Sequence, residues 1–155
     1  MQADRAGVRG HVCLELIRDG NVITRHEGKN LVVATGKNLL AHRLWKTTPR
    51  IIKYMQLGTG STGATAADTG VATEIAATTS FAGRQEVVSM TMSGQTATWE
   101  HTWTASEFSA NNVQEVGLFN SPTTGAGTMA SRFVFTAVNK TKSDTLKITW
   151  KMAVS

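Results

Sequence analysis

The sequence predicts an all-β protein, a β-sandwich or jelly roll with one short helix near residues 35–46. Three observations carry this expectation. Apolar and polar residues alternate with period two in several segments, turn signals separate those segments, and helical periodicity shows once, early in the chain. The composition agrees, because charged residues make up 17% of the chain, below the usual quarter, and the balance is Thr, Ser, Gly and Ala. β-branched Thr suits strands, and Gly and Ser suit turns. A chain of 155 residues can build one domain with a real core and is short for two. The expected division is an N-terminal arm over 1–10, where no periodicity shows, and a single β-sandwich domain over 11–155.

HVCLELIRDGNVITRHEG reads as two strands around the tight Asp19-Gly20-Asn21 turn. In NLVVATGKNLLAHRLWKTTP, Leu40 and Leu44, with Leu39, Ala41 and Trp45 beside them, fit a helix with one apolar face that ends before Pro49. RIIKYMQLG is a strand running into glycines, and QEVVSMTMSG is a further strand. TATWEHTWTA alternates cleanly, with Ala97, Trp99, His101, Trp103 and Ala105 on one face and Thr98, Glu100, Thr102 and Thr104 on the other. VQEVGLFN and MASRFVFTAVN form a strand pair across SPTTGAG. In TLKITWKMAV, Leu146, Ile148, Trp150 and Met152 share one face and Lys147, Thr149 and Lys151 the other. Seven or eight strands result, and no internal repeat at a fixed period.

Residues 57–70, LGTGSTGATAADTG, place Gly58, Gly60 and Gly63 in the pattern G-x-G-x-x-G. A dinucleotide fingerprint also needs a preceding strand, a helix opening at the third glycine, and an acid about 20 positions on. The strand is present and Glu86 stands at a suitable distance, but ATAADTGVATEIAATTS has no steady apolar face to make a helix. Without a helix N-terminus the pyrophosphate has no dipole and no row of free N–H groups. A phosphate loop with Gly-Lys-Ser/Thr is absent too. The glycines are expected to turn a corner, their small neighbours letting the connection lie flat over adjoining structure.

Other chemistry has little to stand on. His11, His26, His42 and His101 are scattered, no Gly-x-Ser-x-Gly elbow or Cys/His dyad occurs, and Asp68 and Asp144, beside Ser or Thr, suit capping of backbone N–H groups. No catalytic, cofactor-binding or metal-binding residue is expected. Cys13 reads as an inert core thiol, and His101 as packed between Trp99 and Trp103. No apolar run of membrane-spanning length and no secretory signal is found, so no membrane association is expected. Net charge is +5, unevenly spread. Residues 1–53 carry ten Lys and Arg against Asp4, Glu15, Asp19 and Glu27, whereas 54–139 carry Arg84 and Arg132 against six acids. Basic ends around an acidic middle allow copies to attract one another. The densest basic cluster, HRLWKTTPRIIKY, reads as the polar rim of a buried helix. Direct nucleic-acid binding is not expected, because interleaved stacking aromatics are lacking elsewhere.

The runs YMQLGTGSTGATAADTGVATEI, TWTASEFSANNVQEVGLFNSPTTGAGTMASRFVF and KTKSDTLKITWKM resemble small virion proteins of tailed bacteriophages. The shared features are a strand ending Leu-Gly-Thr-Gly, an Ala-Asp-Thr segment, and an Asn-x-x-Glu-hydrophobic-Gly-Leu-Phe strand at Asn112, Glu115, Val116, Gly117, Leu118 and Phe119. A closing Ser-Asp-x-Leu-x-hydrophobic-Thr-Trp strand completes them, and the resemblance spans about Leu31 to Met152. It implies a non-enzymatic part of the virion, assembled in the host cytoplasm. The pattern recurs in head decoration, or cement, proteins and in collar-proximal tail-fibre domains. The expected function is a capsid decoration protein, with a tail, neck or tail-fibre part as the alternative. Expected partners are the major capsid protein or other virion proteins and further copies of the chain. Gln2, Arg5 and Arg9 in the arm, with Gly58, Gly60 and Gly63, are the expected contact residues.

Overall fold

The computed structural model describes residues 7–46, 51–79, 81 and 83–155. They form nine strands and one helix, so the all-β class and the single short helix hold, with more strands than expected. β1 (Val8–Arg18) and β2 (Asn21–Val32) make the expected hairpin, with Arg18 opposite Asn21. Asp19 and Gly20 both have positive φ, 49° and 77°. Two such residues give the turn whose twist matches the strands, and Asp-Gly is the pair that tolerates it.

The expected arm is shorter than 1–10. Val8, Arg9 and Gly10 belong to β1, because β9 (Asp144–Val154) pairs with it along its whole length, from Arg18 opposite Asp144 to Val8 opposite Val154. Gly7 extends the pairing, donating its N–H to Ser155 and accepting from it. Gln2 and Arg5 lie outside the described residues.

Helix α1 (Ala34–Trp45) forms where expected, but its apolar face is not the expected one. Leu39 is buried, whereas Leu44 and Trp45 are 93% and 82% exposed. Among the described residues, the hydrogen bonds that tie the helix to the rest of the molecule are at its start. Val33 and Ala34 donate their N–H groups to the carbonyls of Ala130 and Ala66, and the Thr35 hydroxyl donates to Met129 O. Its C-terminal half, with the basic cluster around Arg43 and Lys46, is therefore an exposed end and not the rim of a buried helix.

β3 (Tyr54–Gly58) is followed by the long glycine-bearing connection, then β4 (Gln85–Glu86) and β5 (Ser89–Ser93). One strand was expected over these last two segments. It splits because the Val87 N–H bonds Lys53 O while the Val88 N–H bonds Glu100 O, pulling adjacent residues to different parts of the sheet. β6 (Thr96–Trp103), β7 (Ala110–Phe119) and β8 (Met129–Lys140) complete the set, β7 and β8 pairing as expected.

All nine strands join in the order β4-β3-β7-β8-β2-β1-β9-β6-β5, and the ladders fall into two halves that share β2. The sheet curls at that shared strand. β4 and β5 are its opposite edges, yet two residues connect them, and three residue steps span at most about 11 Å. β2 carries the bend, pairing with β1 over most of its length and with β8 only at Leu31 and Val32. The two halves then face each other around one core. Leu14, Trp103, Leu146 and Trp150 from one half meet Leu57, Val116, Leu118 and Phe133 from the other. The inward faces of β6 and β9 are those the alternation indicated, and His101 packs edge-on against Trp103 at 4.4 Å. Cys13 is a correction: it is half-buried on the outer face, between the buried Val12 and Leu14, and not a core thiol.

Trp103 and Trp150 are fully buried at the centre of this core. Replacing either by Ala is expected to cost about 3–5 kcal/mol of unfolding free energy in denaturant titrations, and an unchanged midpoint would show that the core lies elsewhere.

Candidate docking surface

The glycine corner is built around an anion supplied by the protein itself. Glu115, on β7, stands opposite Gly58 on β3 and is fully buried. Its Oε1 accepts the N–H groups of Gly60 and Thr73 at 2.9 and 2.8 Å, and its Oε2 accepts that of Ala72 at 2.8 Å. Arg132, on β8 and 2% exposed, completes the cage, its Nη2 lying 2.7 Å from Glu115 Oε2. The same guanidinium reaches Asp68 Oδ2 at 2.7 Å and Thr62 O at 3.0 Å. Asp68 in turn accepts from the Thr65 N–H and hydroxyl, the capping role its neighbours suggested. Burial opposes ionisation of Asp68, but Thr65 and Arg132 outweigh it and hold its carboxyl below the ordinary range.

This cage explains the first two glycines. A Cβ on Gly58 would lie 2.5 Å from Glu115 Oε1 and 2.6 Å from the carbonyl oxygen of Thr73, and one on Gly60 would lie 2.5 Å from the same carboxylate oxygen. Gly63 meets nothing within 4 Å. The backbone N–H groups do cradle an anion, and the anion is Glu115. Gly58 and Gly60 are therefore internal parts; of the expected contact residues in this stretch, only Gly63 is exposed.

Further buried charges fasten other loops. Arg84 lies 3.7 Å over the Phe119 ring and donates to the carbonyl of Ala126 at 2.6 Å, clasping the β7–β8 loop. Lys140, 1% exposed, donates to Phe108 O at 2.9 Å, and burial lowers the pKa of its amine. Asp144 accepts from Arg18 Nε at 2.7 Å and from the Thr141 N–H and hydroxyl. Arg18 foremost, aided by Thr141 and against the effect of burial, holds its carboxyl far below the ordinary carboxylate range.

Acids are thus consumed in pairing. Glu15, Glu27, Asp68, Glu74, Glu86, Glu100, Glu115 and Asp144 all form ion pairs. Arg9, Lys29, Lys37 and Lys151 form none with any described residue, and all four line one groove of about 640 Å³ at an end of the curled sheet. Register explains the grouping. His11 on β1 stands opposite Lys29 on β2 and opposite Lys151 on β9, which makes a transverse row of three basic side chains. Arg9 follows two residues along, on the same face of β1. Lys37 comes from the first half of α1, and Val8, Leu31, Val32 and Ala153 supply aliphatic lining. Among the described residues no carboxylate lines the groove, so its cations suit an anionic partner.

Among the expected contact residues, the structure brings Arg9 into this groove. Lys29, Lys37, Lys151 and His11 are not among the expected contact residues, because they are spread from β1 to β9. Among the described residues, no three His, Cys, Asp or Glu side chains converge as a metal site would require. No described helix is long and apolar enough to cross a membrane. No family model matches the chain, and no curated protein or solved structure matches it either. The likeness to phage virion proteins therefore rests on its motifs alone.

The cage separates the three glycines experimentally. Gly58→Ala is expected to lower stability by about 1–3 kcal/mol, the usual cost of overpacking, while Gly63→Ala leaves the melting transition unchanged. Equal effects from both would mean that the glycines serve something other than Glu115.

Proposed function

We propose that the protein is a non-enzymatic structural part of a tailed-bacteriophage virion, a capsid decoration subunit that docks on an acidic surface of the head through the groove of Arg9, His11, Lys29, Lys37 and Lys151. The observation that carries docking is the gathering, in one groove with aliphatic lining, of cations that form no ion pair with a described residue. What supports the virion setting is the set of Leu-Gly-Thr-Gly, Glu-Val-Gly-Leu-Phe and Ser-Asp-Thr-Leu motifs. The buried charges support a body built for rigidity, since Glu115, Arg132, Arg84, Lys140 and Asp144 are each engaged in holding a loop. The groove favours a protein partner over a nucleic acid because aliphatic side chains share its lining and, among the described residues, no Phe, Tyr or Trp ring is there for a base to stack on.

Two measurements test this reading. Lys29→Glu with Lys151→Glu should weaken binding to heads of the cognate phage by at least about tenfold and flatten the dependence of binding on salt, while leaving the melting temperature near that of the parent. Electron microscopy of particles carrying a label on this chain should show density repeated over the head lattice. Density confined to the portal or tail would overturn decoration in favour of a neck or tail part, and undiminished binding of the double variant would remove the groove from the contact.

A further inference from the structure

A second surface is apolar where the groove is charged. β5, reading Ser89-Met90-Thr91-Met92-Ser93, is the last strand of the sheet, and no described strand pairs with its outer edge. Natural edge strands are blunted by charge, proline or a covering segment. This one contains no charged residue and no proline. Met90 pairs with Trp99 and Met92 with Ala97, so both methionines share the core-side face of the sheet, yet they are 45% and 77% exposed. The core face continues here past its own cover.

Beside them runs a groove of about 330 Å³ between β5 and α1, whose lining includes Leu40, Arg43, Ile51, Met90 and Met92 together with Thr91 and Thr98. Trp99 closes its floor, and its indole N–H donates to Ile52 O at 2.7 Å to hold that wall in place. Leu44, one turn beyond Leu40 and 93% exposed, prolongs the apolar wall. Among the described residues, Arg43 is the single charged one lining this groove.

We propose that this edge is the contact between two copies of the chain, joined by antiparallel pairing of β5 with β5 across a twofold axis at Thr91. The sequence of the strand indicates the occupant, because Ser-Met-Thr-Met-Ser reads the same in both directions. Pairing about Thr91 sets Met90 against Met92 of the second copy twice and Ser89 against Ser93 twice, with Thr91 against itself. A twofold axis normal to the sheet keeps both core-side faces on one side, so four methionines form a continuous strip flanked by the two α1 helices. Methionine suits such a seam, since its unbranched, polarizable chain adapts to the facing surface. An edge strand without charged residues also places no like charges opposite one another when two copies pair. This contact stands or falls independently of the virion setting.

Disulfide trapping tests the register. In a Cys13→Ser background, Thr91→Cys should cross-link to a covalent dimer on mild oxidation, because directly opposed Cα atoms in antiparallel pairs are about 4.5–5.5 Å apart, within disulfide reach. Ser93→Cys should not, since its two copies would lie roughly 14 Å apart along the strands. Sedimentation should show a dimer for the parent chain and about 100-fold weaker dimerisation for Met92→Lys, roughly tenfold for each lysine placed in the seam. Met92 is exposed, so the substitution should leave the melting transition of the subunit intact. A monomeric parent, cross-linking of Ser93→Cys as fast as Thr91→Cys, or a dimer indifferent to Met92→Lys would each overturn the proposal.

Discussion

The buried Glu115 carboxylate is the constraint on which the rest of the architecture depends. It sits on a central strand, with three backbone N–H groups and one guanidinium closed around it. The Coulomb attraction within such a pair is largely offset by the cost of removing both ions from water, so its contribution is mainly one of specification. The connection from Thr59 to Thr79 has few large apolar side chains with which to anchor itself. The carboxylate supplies a fixed point: Gly60, Ala72 and Thr73 converge on it, Arg132 carries its influence to Asp68, and the segment thereby positioned offers Ala66 O to the first N–H of α1.

The same device recurs around the molecule. Arg84, Lys140 and Asp144 each sit inside and fasten a loop through backbone atoms, which satisfies polar groups that the curled sheet would otherwise bury unpaired. One consequence reaches the surface. With acids drawn into ion pairs, the surplus of Lys and Arg is left in the open, and strand register gathers part of it into the row Lys29–His11–Lys151. The surface character follows from how the interior is held together.

What could be read from the sequence was what depends on neighbours along the chain. The Asp19-Gly20 hairpin and the alternating faces of β6 and β9 declare themselves locally. The exposed end of α1 did not, because Leu39, Leu40 and Leu44 look alike until it is known which end of the helix is tied down. Nor did the break at Val87 and Val88, which is set by Lys53 and Glu100, each more than ten positions away. The glycine spacing was noticed and its reason was not, since Glu115 lies 55 positions beyond Gly60. The signal available was a glutamate directly before the apolar run Val116-Gly117-Leu118-Phe119 on a strand heading into the core, where a charge needs a buried partner.

Amide hydrogen exchange tests the central claim most directly. If the carboxylate holds the connection, the N–H groups of Gly60, Ala72 and Thr73 exchange slowly and together, as strand amides do, and in Glu115→Gln all three accelerate while the β1–β2 and β1–β9 amides keep their protection. Rapid exchange of these three amides in the parent protein, at the rate of an open loop, would contradict the account.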